Sequence, residues 1–223
     1  MKIDILTLFP EVFENYLSTS ILKRAQDKKL LKIKIHNLRK WATDKRKTVD
    51  DQPYGGGAGM ILKIEPIYKA LKELTLKNKD QTPFIILTDP KGRLFNQKEA
   101  KKLSKNEWLI IICGHYEGID ERITKFINQK YSIGNYVLTG GELPALVIID
   151  ATTRLIRGVI KEESLKEESF AFGSNLEYPQ YTRPEVFYPE KDSKGLKVPK
   201  VLLSGDHQKI EIWRQKHTKH LNN

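Results

Sequence analysis

Two glycine-rich stretches decide the fold of this chain: Cys113-Gly-His-Tyr-Glu-Gly-Ile-Asp-Glu-Arg122 and Ser132-Ile-Gly-Asn-Tyr-Val-Leu-Thr-Gly-Gly-Glu-Leu-Pro144. The glycines come after apolar runs typical of buried strands, residues 109–112 in the first case and residues 136–138 in the second. Glycine at such a junction lets main-chain N–H and C=O groups approach a ligand closely. The two stretches therefore predict a ligand site at the ends of two strands.

A third junction of the same kind lies upstream, where the apolar run of residues 84–88 meets Asp89-Pro-Lys-Gly-Arg93. Strand patterns alternate with helix patterns along this part of the chain, which favours a parallel sheet covered by helices. In such a sheet the ligand site lies at the carboxyl ends of the strands. We therefore predict an α/β fold, with helices at residues 10–17, 20–28, 64–76, 96–103, 118–128 and 142–155.

The charge of the chain favours a polyanionic partner. Its 223 residues include 39 Lys and Arg against 28 Asp and Glu, a formal net charge of +11. Nucleic acid is the commonest partner of so basic a protein, although a Lys-rich background composition produces the same balance. The basic residues cluster within residues 32–47 and 183–209, which favours nucleic acid.

The cysteine content and the hydropathy of the chain indicate in which cellular compartment the protein is expected. Cys113 is the only cysteine, so an intrachain disulfide and a cysteine-based zinc site are excluded. No apolar stretch approaches the roughly 20 residues of a membrane-spanning helix. Residues 1–9 fit a first strand better than a signal peptide, because Asp4 interrupts the apolar run. We therefore expect a cytoplasmic protein without a membrane partner.

Two stretches of the sequence match nucleotide-binding motifs only in part. Residues 52–60 lack the Gly-Lys-Ser/Thr ending of a phosphate-binding loop, and Gly140-Gly141 does not complete the glycine pattern of a nicotinamide site. Residues 52–60 fit either a flexible turn or, with Lys45-Arg-Lys47 just upstream, a loop that contacts an anion or RNA. A backbone-lined pocket without a phosphate anchor suits S-adenosylmethionine, whose charged ends need acceptors such as carbonyls and Glu117.

The composition changes after residue 160. Residues 161–168 are polar and lack a strand pattern, and prolines then interrupt the chain until a helical pattern at 206–217. We therefore predict a first domain over residues 1–160, an interdomain linker over residues 161–175 and a small helical domain over residues 176–223.

Six motifs, in order along nearly the whole chain, resemble the bacterial tRNA (guanosine-37-N1)-methyltransferases of the TrmD family. They are Ile5-Leu-Thr-Leu-Phe-Pro-Glu11, Val49-Asp-Asp-Gln-Pro-Tyr-Gly-Gly-Gly-Ala-Gly-Met60, the stretch of residues 113–122, Ser132-Ile-Gly-Asn-Tyr-Val-Leu-Thr-Gly-Gly-Glu-Leu-Pro-Ala145, Tyr181-Thr-Arg-Pro-Glu185 and Leu202-Leu-Ser-Gly-Asp-His207.

The resemblance implies a SPOUT-type α/β domain whose parallel sheet carries a deep trefoil knot, and a small helical C-terminal domain that binds tRNA. It also implies a homodimer that transfers a methyl group from S-adenosyl-L-methionine to N1 of guanosine 37, and a need for a divalent ion such as Mg²⁺, for which no set of metal ligands is visible. By the same resemblance the cofactor binds to Leu87, Pro90, Gly114, Tyr116, Glu117, Ile119, Ser132, Ile133, Gly134, Tyr136, Leu138, Gly140, Gly141 and Pro144.

The chemistry of this reaction requires a base and a cation. Guanine N1 carries a proton, and its lone pair becomes a good nucleophile only as that proton leaves. Negative charge then develops toward O6, where a fixed cation stabilises the transition state. The resemblance implies an aspartate in an Asp-Ser-Phe motif as the base, but this chain has Glu167-Glu-Ser-Phe170. We expect Glu168 to be the base, with Glu167 as the weaker candidate.

Arg154 supplies the expected cation. Taken alone, its position at the end of an apolar helix fits a salt bridge to Asp150 one turn earlier. The resemblance implies a catalytic role instead, because Arg154 matches the arginine that acts with the family's base.

Departures from the family leave other interpretations open. Glu168 in place of aspartate leaves open a tRNA-binding homologue with weakened catalysis. His115 stands where the family more often has arginine, and it either alters a contact near the cofactor or RNA or is a tolerated surface change. Glu177 also replaces a usual aspartate. A SPOUT methyltransferase with another RNA target is the last alternative, and the motifs at residues 55–57 and 181–183 argue against it.

Overall fold

The protein is described by a computed structural model that covers residues 1–78, 80–166, 168–170, 175–190 and 193–220. The chain forms two compact units, residues 1–160 and 161–223. The strands of the first unit are β1 (Lys2–Thr7), β2 (Lys32–Asn37), β3 (Asp50–Asp51), β4 (Ile61–Leu62), β5 (Phe84–Leu94), β6 (Trp108–Cys113) and β7 (Gln129–Ser132). Its helices are α1 (Glu11–Leu17), α2 (Ser20–Asp27), α3 (Ile64–Leu76), α4 (Gln97–Leu103) and α5 (Glu142–Thr153), with 3₁₀ turns at Leu38–Trp41 and Glu121–Phe126.

Five strands form a parallel sheet in the order β2-β1-β6-β5-β7. Successive side chains of a strand point to opposite faces. Ile3 of β1 and Ile111 of β6 therefore pack with α1, α2 and α5 on one face, while Leu6 and Ile112 pack with α3 on the other. Both faces of the central strands are covered by helices, which confirms the predicted α/β fold with a parallel sheet.

Two predicted elements are wrong. Residues 136–138 do not form a strand, because they lie in the loop from β7 to α5 with Tyr136 55% and Val137 86% exposed. Residues 118–128 form a 3₁₀ turn at Glu121–Phe126 rather than an α-helix. The strand β7 follows this turn. Because β7 begins with polar residues, its sequence lacks the continuous apolar run that predicts β6.

The second unit contains short elements. They are α6 (Glu162–Lys166), β8 (Asn175–Leu176), β9 (Val186–Phe187), β10 (Leu196–Lys197), α7 (Lys200–Leu203), α8 (His207–His217) and β11 (Lys219–His220). The predicted helix at residues 206–217 is confirmed as α8, and the Asp206 side chain caps it by accepting a hydrogen bond from Lys209 N at 3.1 Å. Throughout the part of the chain that the structure describes, each helix is too short or too polar to cross a membrane.

Asp4 is a fully buried carboxylate in the centre of the sheet. Trp108 Nε1 donates to Asp4 Oδ2 at 2.8 Å, His36 Nε2 lies 2.7 Å from Oδ1, and Lys2 Nζ lies 3.1 Å from Oδ2. Burial by itself raises the pKa of Asp4, but the hydrogen bonds from His36, Lys2 and Trp108 outweigh it and lower that pKa below its usual value. The ionised carboxylate therefore stabilises the folded state.

Replacement of Asp4 by asparagine is expected to lower the free energy of unfolding by about 3 kcal/mol at pH 7, because it breaks a buried ionic cluster. A carboxyl with a lowered folded-state pKa stabilises the protein above its unfolded-state pKa, and this contribution is lost as the pH falls through the folded-state pKa. The difference between wild type and Asp4→Asn should therefore shrink below pH 3.8, the usual pKa of this carboxyl.

Urea denaturation at a series of pH values measures both effects. Asp27→Asn is the matched control, because the ion pair between Lys23 and Asp27 is exposed on both sides and is expected to contribute about 0.5 kcal/mol. Equal losses for the two variants would contradict a special role of the buried cluster.

Candidate active site

A cavity of about 470 Å³ lies at the carboxyl ends of β6 and β7 and beside the middle of β5. Its wall is built from the turn after β6, the loop after β7 and the middle of β5. It is lined by Ile61, Leu87, Thr88, Asp89, Pro90, Lys91, Gly114, His115, Tyr116, Glu117, Gly118, Ile119, Glu121, Tyr131, Ser132, Ile133, Gly134, Tyr136, Val137, Leu138, Thr139, Gly140, Gly141 and Pro144. The three glycine-rich junctions of the sequence therefore meet around one space.

The residues expected to bind the cofactor all lie in this wall, from Leu87 and Pro90 through the turn at 114–119 to the loop of residues 132–144. The structure adds further residues, among them Thr88 and Tyr131, which the sequence did not single out as ligand-binding residues. Their only signal along the sequence is their position beside a glycine-rich junction.

An interruption of the strand ladder shapes one side of the cavity. Tyr131 of β7 pairs with both Thr88 and Arg93 of β5, so residues 89–92 leave the ladder between these two pairs. The excursion carries Asp89 and Pro90 into the cavity wall. This part of β5 packs closely against β7, since a Cβ atom at Gly92 would lie 2.6 Å from the backbone of Lys130.

The turn after β6 and the start of α5 meet backbone to backbone. Gly141 N donates a hydrogen bond to Gly114 O at 2.7 Å. A Cβ atom at Gly141 would overlap Thr88 Oγ1 and lie 2.6 Å from Gly114 N. Only glycine fits this position, because its missing side chain lets the two backbones come into direct contact.

Charged groups surround the same cavity. Lys130 Nζ lies 2.8 Å from Glu121 Oε1 and 3.4 Å from Asp89 Oδ2. Burial lowers the pKa of Lys130, but its bonds to Glu121 and Asp89 outweigh burial and raise that pKa above its usual value. The lysine therefore stays charged and offsets part of the negative charge that Asp89, Glu117 and Glu121 bring to the wall.

His115 lies in the wall between two aromatic rings. Its ring centroid is 4.7 Å from that of Phe9 and 4.7 Å from that of Tyr116. Among the described residues no partner lies within hydrogen-bonding distance of its buried Nδ1 atom. His115 is therefore a residue of the cavity wall rather than a surface substitution.

Cys113 ends β6 directly before the turn of the cavity. Burial, followed by the nearby Glu142 carboxylate, raises the pKa of its thiol well above the usual value. The thiol is therefore protonated at neutral pH and unsuited to nucleophilic catalysis.

The glycine loop of residues 55–59 adjoins this site. Gly55, Gly56 and Gly59 have positive φ angles, and Tyr54 is fully exposed. Two backbone hydrogen bonds connect the residues after this loop to the cavity wall. Glu117 N donates to Met60 O at 3.0 Å, and Leu62 N donates to Gly118 O at 2.9 Å.

Beyond this loop lies a second cavity of about 710 Å³. Ile61 lines both cavities, so they share part of one wall. The other residues that line the second cavity include Trp41, Asp44, Asp51, Tyr54, Lys63, Lys69 and Arg122.

The two expected catalytic residues belong to different units of the chain. Arg154 directly follows α5 in the first unit, is half-buried, and donates its backbone N–H to Asp150 O at 3.2 Å. Glu168 follows α6 in the second unit and is half-buried. Glu167, the weaker candidate for the base, lies outside the described residues.

Comparisons with known proteins agree along almost the full length of the chain. The family described as tRNA (Guanine-1)-methyltransferase TrmD matches residues 1–222. A tRNA (guanine-N(1)-)-methyltransferase from Dictyoglomus turgidum is 54% identical over 217 residues, covering 97% of this chain and 84% of the relative. Proteins of the same name from Bacillus subtilis and Clostridioides difficile are 53% and 51% identical, over 97% and 96% of this chain and 86% and 91% of the relatives.

Proposed function

The chain belongs to the TrmD family of tRNA (guanine-1)-methyltransferases, and we propose that it transfers a methyl group from S-adenosyl-L-methionine to N1 of guanosine 37 in tRNA. The observation that carries the proposal is the cavity in which the glycine-rich turns of the family motifs converge. We propose that Glu168 and Arg154 supply the base and the cation that the reaction needs.

The cavity fits the methyl donor in size and chemistry. Its volume of about 470 Å³ lies within the range of small-molecule sites. Gly140 offers main-chain groups to an adenosine, and the carboxylates of Asp89 and Glu117 suit the cationic end of the ligand. When bound, the cofactor supplies an electrophilic methyl group. The residues proposed to hold it are those that the family resemblance predicts between Leu87 and Pro144.

Glu168 and Arg154 are proposed to act on the guanine. Glu168 removes the N1 proton, so that the N1 lone pair becomes available for attack on the methyl group. The guanidinium of Arg154 stabilises the negative charge that develops toward O6. Guanine N1 lies on the pairing edge of the base, so the target nucleotide has to leave its stack before reaction.

Among the described residues, no group of three or more His, Cys, Asp or Glu side chains is placed to hold a metal ion. No step of the proposed reaction is therefore assigned to Mg²⁺.

An exposed apolar surface supports the proposed homodimer. Val12 and Tyr16 of α1 and Leu143 and Val147 of α5 are exposed, and the two helices pack against each other. Exposed apolar residues grouped in this way are typical of a protein interface. A partner subunit on this surface would lie beside the cofactor loop, because α5 begins directly after Gly141. We therefore propose that the active site is completed by the partner subunit.

The path of the chain supports the proposed knot. β7 lies at the edge of the sheet beside β5, yet the loop after it returns to the turn after β6, where Gly141 bonds to Gly114. Helix α5 then packs against β6. We propose that the segment of residues 132–153 is threaded through the preceding loops and forms the deep trefoil knot of a SPOUT fold.

The second unit is proposed to bind tRNA. Lys209, Arg214 and Lys216 place positive charge on α8, and the Trp213 and His217 rings stack at a centroid distance of 4.1 Å. Cations that contact phosphates and aromatic rings suit RNA. We place the interdomain linker at residues 161–175 and the tRNA-binding domain at residues 176–223. Because its substrate is tRNA, we place the enzyme in the cytoplasm.

Methyl transfer to two tRNA transcripts tests the function. Labelled S-adenosylmethionine is supplied with an unmodified transcript that carries guanosines 36 and 37, and in parallel with the same transcript carrying adenosine at 37. We expect label in the first transcript only.

The other results of this assay identify the alternatives. Equal labelling of both transcripts would show that the target is a different nucleotide. An absence of label despite measurable cofactor and tRNA binding would favour a tRNA-binding homologue with weakened catalysis.

A further inference from the structure

Thr88 is the residue at which the turns of the cofactor cavity converge. It is the last residue of β5 that pairs with β6, its side chain is 4% exposed, and it lines the cavity. Its Oγ1 atom lies 3.2 Å from Ile112 O, 3.3 Å from Gly141 O and 3.4 Å from Gly114 N. One hydroxyl therefore contacts the end of β6, the turn after β6 and the loop that leads into α5.

The hydrogen-bonding capacity of a threonine hydroxyl suits this position. A hydroxyl has one proton to donate and two lone pairs to accept with. Thr88 can therefore donate to Ile112 O or Gly141 O and accept from Gly114 N. A direct hydrogen bond from Gly141 N to Gly114 O, at 2.7 Å, connects two of the residues that the Thr88 hydroxyl contacts.

The hydrogen bond from Gly141 N to Gly114 O joins the two turns at one point and leaves their orientation to other contacts. Glycine has the greatest conformational freedom of any residue, so Gly114 and Gly141 need an external constraint. Thr88 provides one, because it is β-branched with a restricted χ1 angle and projects from a central strand. The Thr88 hydroxyl also occupies the space that a side chain at residue 141 would need.

We propose that Thr88 is a positioning residue for the methyl donor, and that its hydroxyl holds the turns at Gly114 and Gly141 at the separation that the cofactor requires. The proposal rests on the proposed cofactor site and adds to it a residue that acts through the backbone of its neighbours. Preorganisation of this kind raises affinity because the bound geometry is already present in the free protein.

Two substitutions at Thr88 separate the hydroxyl from the bulk of the side chain. Thr88→Val keeps the branched shape and removes the hydroxyl, whereas Thr88→Ser keeps the hydroxyl and removes a methyl group. We expect Thr88→Val to raise the Kd for S-adenosylmethionine about tenfold or more, the effect of an unsatisfied buried polar group. Thr88→Ser is expected to bind almost as well as the wild type, although the lost methyl group lowers its thermal stability.

Calorimetric titration with S-adenosylmethionine, thermal unfolding and steady-state kinetics form the test. Thr75→Val is the matched control, because the Thr75 hydroxyl also donates to a backbone carbonyl, Leu71 O at 2.9 Å, but Thr75 lies on α3 and does not line the cavity. The KM for the cofactor should rise in Thr88→Val alone, while the KM for tRNA stays unchanged in all three variants. A loss of affinity that simply follows the loss of thermal stability across the variants would contradict the proposal.

Two further outcomes would overturn it. Wild-type affinity in Thr88→Val would show that the hydroxyl is not needed, and equal weakening in Thr88→Ser and Thr88→Val would assign the effect to side-chain volume. Failure of the proposed cofactor site is recognised separately, because the wild-type protein would then bind no S-adenosylmethionine in the first titration.

Discussion

Glu168→Gln is expected to slow methyl transfer by about 10²- to 10⁴-fold, the usual contribution of a general base. Glutamine has almost the same shape as glutamate and still forms hydrogen bonds, but it cannot accept the N1 proton at neutral pH. The Kd values for S-adenosylmethionine and tRNA should therefore stay unchanged. Single-turnover kinetics with the enzyme in excess over unmodified tRNA measure the rate of the chemical step.

Two controls define the role of the carboxylate. Glu168→Asp introduces the residue that is usual in the family and is expected to retain activity, since both side chains carry the same base. Glu163→Gln makes the same chemical change at an exposed position of α6 and is expected to leave the rate unchanged. If Glu168→Gln kept most of its turnover, Glu168 would not be the base and Glu167 would be tested next.

Arg154→Ala is expected to lower the rate of methyl transfer by about 10²- to 10³-fold, the cost of removing one group that stabilises a developing oxyanion. The affinity for S-adenosylmethionine should stay unchanged, because Arg154 does not line the cofactor cavity. Arg154→Lys should recover only part of the rate, because an ammonium group lacks the planar, bidentate geometry of guanidinium. Turnover and calorimetric titration of the same preparations measure the two effects.

The rival role of Arg154 is structural. A salt bridge to Asp150 would stabilise the end of α5, and its loss would weaken cofactor binding and turnover together. Equal losses in both measurements would therefore assign Arg154 to the fold. Arg157→Ala is the matched control, because Arg157 is exposed one turn further along the chain and is expected to have little effect on either quantity.

The strands of the sheet centre were predictable because they are buried on both faces. β6 consists entirely of buried residues and therefore appears in the sequence as a continuous apolar run. The edge strand β7 has no such run, since its first two residues are polar and only partly buried. The opposite error occurs at residues 136–138, which are apolar although exposed. A single sequence does not distinguish an apolar run that faces solvent or a partner from one that faces the core.

The location of the cavity was predictable from the sequence, but the contacts that shape it were not. The three glycine-rich stretches do line one cavity, as predicted. Only the one at Gly114 directly follows its predicted strand, because residues 89–92 interrupt β5 and residues 136–138 are not a strand. The hydroxyl of Thr88 gave no such signal, because its partners Ile112 and Gly141 are 24 and 53 residues away in the sequence. Contacts of this kind depend on the strand order, which local patterns do not specify.

Cys113 provides a built-in probe of motion at the cofactor turn. It is the only cysteine of the chain, it is buried, and it directly precedes Gly114. A thiol reagent can reach it only when the end of β6 opens locally, so the reaction rate reports the free energy of that opening. Comparison of the rate with and without a bound ligand would measure how strongly the ligand closes the turn, without any introduced label.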